Sequence, residues 1–310
     1  LSATSVPAML EQKYEPKIAT GVVAISGTLA MLIPPSIALI LFGLVGNVSI
    51  GKLLIAGVVP GILVALTIAL TVYALAVMDP SRAPIGRRHT MQEKLASLRV
   101  AGPVIILFMM VTGVIYLGVA TPTEASALGA TGALVLALLS GRLTRSRFAS
   151  ALVNAARTTA MIMLIIMAAH LFGYFFTITQ TTRDIVNYVG SLDVAPIVII
   201  FILVAFYVLL GCFFDQVTII ILTVPVVLPL VVSLGFDPVW FGVIVVVTAE
   251  VGMVTPPVGL NVFVVANYTK RPVEEVFAGV TPHVIAHLAL ILVLILFPSI
   301  IMWLPNSIQN

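Results

Sequence analysis

Charge and cysteine are what this 310-residue chain is short of. Asp, Glu, Lys and Arg make up 9% of it, where soluble globular proteins carry about 25%. The single cysteine, Cys212, excludes an internal disulfide framework and a cysteine-based zinc site. No phosphate-binding Gly-Lys-Ser/Thr loop, HExxH pair or Cys-His cluster occurs, which argues against ATP-driven transport by this chain alone. Nor is there a GxSxG or a pair of catalytic aspartates, as an enzyme working inside a membrane would need. The chain is 61% hydrophobic with a mean hydropathy of +1.21. A water-facing fold cannot hide that much apolar surface, so the composition describes an all-α protein that crosses a membrane several times. The net charge of +3 matters less than its distribution.

One stretch is written twice. At an offset of 222 residues Pro7 falls on Pro229, Pro16 on Pro238, Pro34-Pro35 on Pro256-Pro257, and Pro60 on Pro282. Ala56-Gly57-Val58 falls on Ala278-Gly279-Val280 without a gap. Each copy carries its proline pair inside a long apolar run, and proline breaks a helix by removing a donor and clashing with the preceding turn. Broken membrane helices at matched positions in two halves point to a transporter binding site. The second copy is preceded by a polar tip, Gly211-Cys212-Phe213-Phe214-Asp215. The counterpart of that tip would lie before Leu1, so about one hundred residues or more are expected ahead of this chain, given ~20 residues per span.

Apolar runs long enough to span occur at Ile18–Val45, interrupted at the proline pair, then at Leu53–Met78, Ala101–Ala120 and Thr159–Thr179. A shorter run, Glu124–Leu139, precedes the last of these. Val194–Leu210 and Ile219–Leu234 flank the polar tip, Val239–Asn267 is the second interrupted run, and Val280–Leu304 closes the chain. Asp79–Arg99 (with Arg82, Arg87, Arg88 and His89) and Gly141–Arg157 (with Arg142) read as polar loops, cytoplasmic by the positive-inside rule. Charge does not distinguish a crossing pair of arms at 194–234 from a re-entrant hairpin. The tip Asp215-Gln216 suits a hairpin ending at mid-depth, where irregular backbone survives only under cover of protein or water. Five crossings separate Glu11–Lys17 from its repeat partner Gly235–Asp237. An odd number predicts that the second copy runs in the inverted sense.

At the proline pairs the helix must unwind, and its carbonyls lose their donors. Each costs several kcal/mol in hydrocarbon. Either neighbouring helices and water patch such a kink, or a small hard cation such as Na⁺ settles on the oxygens. Gly252 and Gly259 permit close backbone approach, and Thr255 adds a hydroxyl. Asp215 either couples ion and substrate or caps the helix that follows it. Glu124, in Thr121-Pro122-Thr123-Glu124, either completes a helix start or faces the pathway. Glu250 stands four residues before Val254, where it can flank the cavity. His170 in its apolar helix reads as a hydrogen-bonded contact rather than a proton relay.

On Ile33-Pro34-Pro35-Ser36, Ala120-Thr121-Pro122-Thr123-Glu124-Ala125, Asp215 in its tip, Asp237-Pro238-Val239-Trp240-Phe241-Gly242 and Gly252 through Asn261, the chain resembles the large membrane subunit of the tripartite ATP-independent periplasmic (TRAP) transporters. The resemblance implies a bacterial inner-membrane elevator: Na⁺-coupled symport of a small organic acid, with inverted repeats, a re-entrant hairpin and broken helices. One Na⁺ would take Gly211, Gly252, Thr255 and Val258, mostly through carbonyls, and another Ala30, Ile33 and Ser36. Substrate would lie near Asp215, Ser36 and Asn261, with Glu124 a further candidate. Residues 1–52 would end the first transport repeat, 53–190 form scaffold and connecting helices, 191–279 the second repeat, and 280–310 a last scaffold helix. The implied partners are a small membrane subunit, a periplasmic binding protein and the lipid bilayer. No organic cofactor, nucleic acid or enzymatic activity is implied. The alternative is a stand-alone Na⁺- or H⁺-coupled carboxylate carrier of similar architecture.

Overall fold

A computed structural model describes residues 2–84, 90–141 and 143–308, with the backbone alone for 92–101. Arg87, Arg88, His89 and Arg142 lie outside the described residues. The described chain is helical. In order come α1 (Ser2–Glu11), α2 (Pro16–Ser26), a 3₁₀ turn (Thr28–Met31), α3 (Ile37–Gly46), α4 (Ile50–Met78), α5 (Met91–Tyr116), α6 (Pro122–Leu139) and α7 (Arg145–Ile178). There follow α8 (Thr181–Gly190), α9 (Pro196–Phe213), α10 (Gln216–Ser233), α11 (Pro238–Gly252), α12 (Leu260–Thr269), α13 (Val273–Leu296) and α14 (Ser299–Ile308). Among the described residues, α4, α6, α7, α9, α10 and α13 are long and apolar enough to cross a membrane.

Two expected loops are shorter than their charge suggested. Helix α5 begins at Met91, inside the polar stretch, and α7 begins at Arg145, inside the basic one. Gln, Glu, Lys and Arg are good helix formers, so a charged run at the end of an apolar helix extends it into water rather than ending it.

The chain divides into two compact units, Leu1–Gly86 with Ala169–Asn310, and Arg87–Ala168. In the smaller unit α5 packs on α6. Gly132 makes room for Leu107, whose Cδ1 would lie 2.3 Å from any Cβ placed there. In the larger unit the two copies of the repeat become matched elements. Both broken runs start with proline in the first turn, at Pro16 and Pro238, where the missing N–H costs nothing. Asp237 caps α11 by accepting from Val239 N and Trp240 N at 2.7 and 3.1 Å. Both proline pairs sit between the halves of a broken run, and both contain a cis peptide bond.

The copies pack reciprocally: α2 lies on α13 while α11 lies on α4, and α1 lies on α12 while α10 lies on α3. Their direction follows from α4. This helix has 29 residues, about 43 Å at 1.5 Å per residue. At its far end Glu15 N donates to Arg82 O at 2.9 Å, and Arg82 Nε lies 3.6 Å from the Glu15 carboxylate. Beside them the Ser81 hydroxyl and the Arg82 guanidinium hold the Asp79 carboxyl below its usual range. At its near end a cavity of about 320 Å³ brings Asn47, Ser49 and Lys52 together with Asp237, Pro238 and Val239. Helix α2 therefore starts at one end of α4 and α11 at the other, and the broken runs point in opposite directions. At the α2 end, α13 crosses backbone on backbone, and a Cβ on Gly279 would lie 1.9 Å from Lys17 O.

Helix α11 is the centre of this unit, with every residue from Val239 to Gly252 buried. A helix that is almost wholly apolar suits either a protein core or lipid, and here protein surrounds it. Trp240 donates from Nε1 to Leu294 O of α13 at 3.2 Å, and Phe241 meets Phe42 and Tyr207 edge-on, with ring centroids 6.4 and 6.1 Å away. Helices α9 and α10 form an antiparallel hairpin. Tyr207 and Thr223, eight residues on either side of Asp215, bond hydroxyl to hydroxyl at 2.8 Å. The Gly279 crossing leaves no space for a side chain, so Gly279→Ala should cost about 3 kcal/mol or more. A fall in the melting temperature of the detergent-solubilised protein would measure this, with Gly51→Ala, where the added Cβ meets nothing within 4 Å, as the neutral reference.

Candidate functional site

The hairpin tip lands on the break between α11 and α12. Gly211 and Gly252 bring two backbones into contact: a Cβ on Gly211 would lie 2.7 Å from Gly252 Cα, and one on Gly252 would lie 2.6 Å from Gly211 Cα and from Val208 O. One turn on, Gly259 N donates to Cys212 O at 3.2 Å. Gly259 has a φ of +60°, a left-handed conformation in which a side chain would be strained. The tip and the break are thus joined through main chain, with no side chain between them.

Unwinding leaves the break half-satisfied. Thr255 N donates to Gly252 O at 2.9 Å, Thr255 Oγ1 to Val251 O at 2.6 Å, and Asn261 N to Met253 O at 3.1 Å. The carbonyls of Gly211, Thr255 and Val258 receive no hydrogen bond among the described residues. Buried carbonyls in folded proteins are nearly always paired. With the carbonyls of Val254, Pro256 and Pro257, which also receive none, they leave the break rich in oxygen acceptors that lack a donor. Among the described residues no group of three or more His, Cys, Asp or Glu could hold a metal ion.

The first copy's break is built differently. Ser36 is fully buried. Its hydroxyl donates to Met31 O and accepts from Leu39 N at 3.1 Å, capping α3. The Ala30 and Ile33 carbonyls receive no hydrogen bond among the described residues, and both residues are exposed. The three expected residues of this group therefore share one turn, with Ser36 already engaged as a cap.

Asp215 is the N-cap of α10. Its carboxylate accepts from Val217 N at 3.1 Å, Thr218 N at 3.3 Å and the Thr218 hydroxyl, and the residue remains partly exposed. Glu124 lies in the smaller unit, exposed, and completes a capping box with Thr121: Thr121 N and Oγ1 each donate to it at 2.8 Å. Asn261 holds the break through its backbone N–H. Sequence reasoning put Gln216 in the polar tip without giving it a role, and did not single out His283 or His287; all three are buried. Gln216 Nε2 donates to Val246 O of α11 at 2.8 Å. The ring of His287 bonds through Nδ1 to His283 O at 2.7 Å. Their signal was available, as a polar residue directly after the tip and two histidines at helical spacing in an apolar run.

Residues 1–300 match the family described as the tripartite ATP-independent periplasmic transporter, DctM component. The chain belongs to this family. It is 33% identical to the C4-dicarboxylate TRAP transporter large permease protein DctM of Pseudomonas aeruginosa, over 99% of this chain and 71% of that protein. It is 33% identical to the ectoine/5-hydroxyectoine TRAP transporter large permease protein UehC of Ruegeria pomeroyi, over 96% and 69%. To the isethionate TRAP transporter permease protein DctMQ of Oleidesulfovibrio alaskensis it is 32% identical, over 98% of this chain and 48% of that one. Membership of a TRAP large-permease family makes this a transporter component and not an enzyme, a multi-pass protein of the inner membrane.

The tip depends on the Asp215 cap. Asp215→Ala should cost roughly 1–2 kcal/mol of stability and Asp215→Asn only a few tenths, read from urea or thermal unfolding of the purified protein.

Proposed function

We propose that the chain is the carrier part of a Na⁺-driven symporter that moves a small organic acid inward, with the hairpin and broken helix travelling as one body against a fixed scaffold. The observation that carries this reading is the set of unpaired carbonyls at Gly211, Thr255 and Val258, gathered where the hairpin tip meets the break. Their chemistry fits a small hard cation, which takes oxygen ligands and needs no charged side chain. Na⁺ bound there would tie the tip to α11 and α12, and so make the tip's position depend on the ion. The Ala30 and Ile33 carbonyls, with Ser36, would offer a second, weaker cradle on the first copy's break.

The substrate follows from what surrounds the ion. Helices α12 and α10 present their N-termini beside the tip, and a helix N-terminus favours an anion. Asp215 is committed to capping, so its part in substrate handling is to hold the α10 N-terminus in place. The relatives' names, C4-dicarboxylate, ectoine/5-hydroxyectoine and isethionate, differ in substrate while the large permease stays recognisable. That supports a carrier whose selectivity is shared with a separate periplasmic binding protein, and a small membrane subunit is the other partner we assign. Opposed broken helices suit alternating access, because each half turns its break in the opposite sense across the membrane.

Proteoliposomes holding the complete transporter and its binding protein test this. Replacing Na⁺ by choline should abolish uptake of a radiolabelled organic acid, while collapsing the proton gradient should leave it intact. Uptake that persists without Na⁺ under a proton gradient would remove the coupling ion. Uptake of free acid without the binding protein would instead favour a stand-alone carrier.

A further inference from the structure

Helix α11 is buried on every side, yet it carries a carboxylate. Glu250 is 1% exposed, and neither of its side-chain oxygens has a hydrogen-bond partner among the described residues. Gln216, the first residue of α10, is fully buried too. Its Nε2 is used by Val246 O, and its Oε1 is left without a partner.

Both side chains are tied to one stretch of α11, Gln216 through its bond to Val246 O and Glu250 through its own place in the helix. Val246 lies four residues before Glu250, so its carbonyl is also the helical acceptor for the Glu250 amide. A helical side chain leans back over the turn N-terminal to its own Cα. That carries the Glu250 carboxylate toward the turn where the Gln216 amide is fixed. Thr248, another buried hydroxyl without a partner, lies about 200° round the helix from Glu250 and belongs to the opposite side. Gly252 is also about 200° from Glu250, so the Gly211–Gly252 contact lies on a different face of α11.

Gln216 Nε2 gives one of its two N–H groups to the Val246 carbonyl, and neither Glu250 oxygen receives the other. None of the three oxygens, the Glu250 pair and Gln216 Oε1, receives a hydrogen bond among the described residues, and one bound cation would satisfy all three at once. We propose that Glu250 and Gln216 form a second, side-chain site for Na⁺, separate from the all-carbonyl pocket. The site differs in kind from that pocket. A cation on neutral carbonyls leaves a full positive charge at depth, whereas a cation on Glu250 forms a neutral pair. Glu250 therefore lets the carrier hold a further ion without a further net charge. This inference rests on the reading of the chain as a Na⁺-driven carrier.

The test is a Na⁺ titration of thermal unfolding of the full transporter in detergent, at constant ionic strength with choline, repeated for the Na⁺ dependence of uptake. The Glu250→Gln variant should raise the half-saturating Na⁺ concentration about tenfold or more, the loss expected for a charged ligand, and should lower the Hill slope. The Gln216→Leu variant should raise the midpoint about threefold or more through loss of one neutral ligand. Thr248→Val, on the opposite side, should match the wild type. A Glu250→Gln protein with the wild-type midpoint and slope overturns the proposal, because the carboxyl then carries its own proton and holds no ion. If Glu250→Gln does not fold, an unchanged midpoint in Gln216→Leu overturns it equally. A wild type that Na⁺ does not stabilise at all would fail the coupling reading itself, and this site with it.

Discussion

Peptide groups inside hydrocarbon have no water to turn to, and the larger unit is organised around that constraint. Where a helix runs unbroken, its own ladder answers every N–H and C=O. Where Pro34-Pro35 and Pro256-Pro257 interrupt the ladder, the answer must come from somewhere else in the protein. At the second break it comes from three sources: the Thr255 hydroxyl, the Asn261 amide and the hairpin tip, whose Cys212 carbonyl takes the Gly259 N–H. The supply runs short at several carbonyls, those of Gly211, Thr255 and Val258 among them. The break is thus left with a deficit of donors beside two opposed glycines.

That arrangement needs backbones closer than side chains permit, which explains why glycine stands at Gly211, Gly252 and Gly279. It also needs a rigid surround. Helix α11 is clasped by the Trp240 bond to α13, the aromatic contacts of Phe241 and the Gln216 bond to Val246. Reciprocal packing of the two copies gives each broken helix a partner from the other half.

Much of this was visible in the residues. The 222-residue offset located both breaks, Thr121-Pro122 marked a helix start that the structure realises, and Gly211 of the hairpin tip stands against Gly252, two residues that the family resemblance put together. The polar stretches misled, because charge at a membrane surface was taken for loop where α5 and α7 are helical from Met91 and Arg145. The state of Glu250 and Gln216 was beyond the reach of pattern. A residue's lack of a partner belongs to the packed fold, and periodicity says only that the side chain faces inward. Ser36 shows the reverse case: its position was legible, but its use as a cap on α3 depends on the local path of the broken turn.

The crossing of α2 with α13 has a consequence for how the chain is made. Its two glycines, Gly21 and Gly279, are separated by about 260 residues, and a ribosome adding 5–20 residues per second needs roughly 13–50 s to deliver the second after the first. For that interval α2, too short and too broken to sit comfortably among lipid tails, must wait at the insertion machinery or beside a temporary companion. Helix α13, made long after α2, is the one that takes up that place.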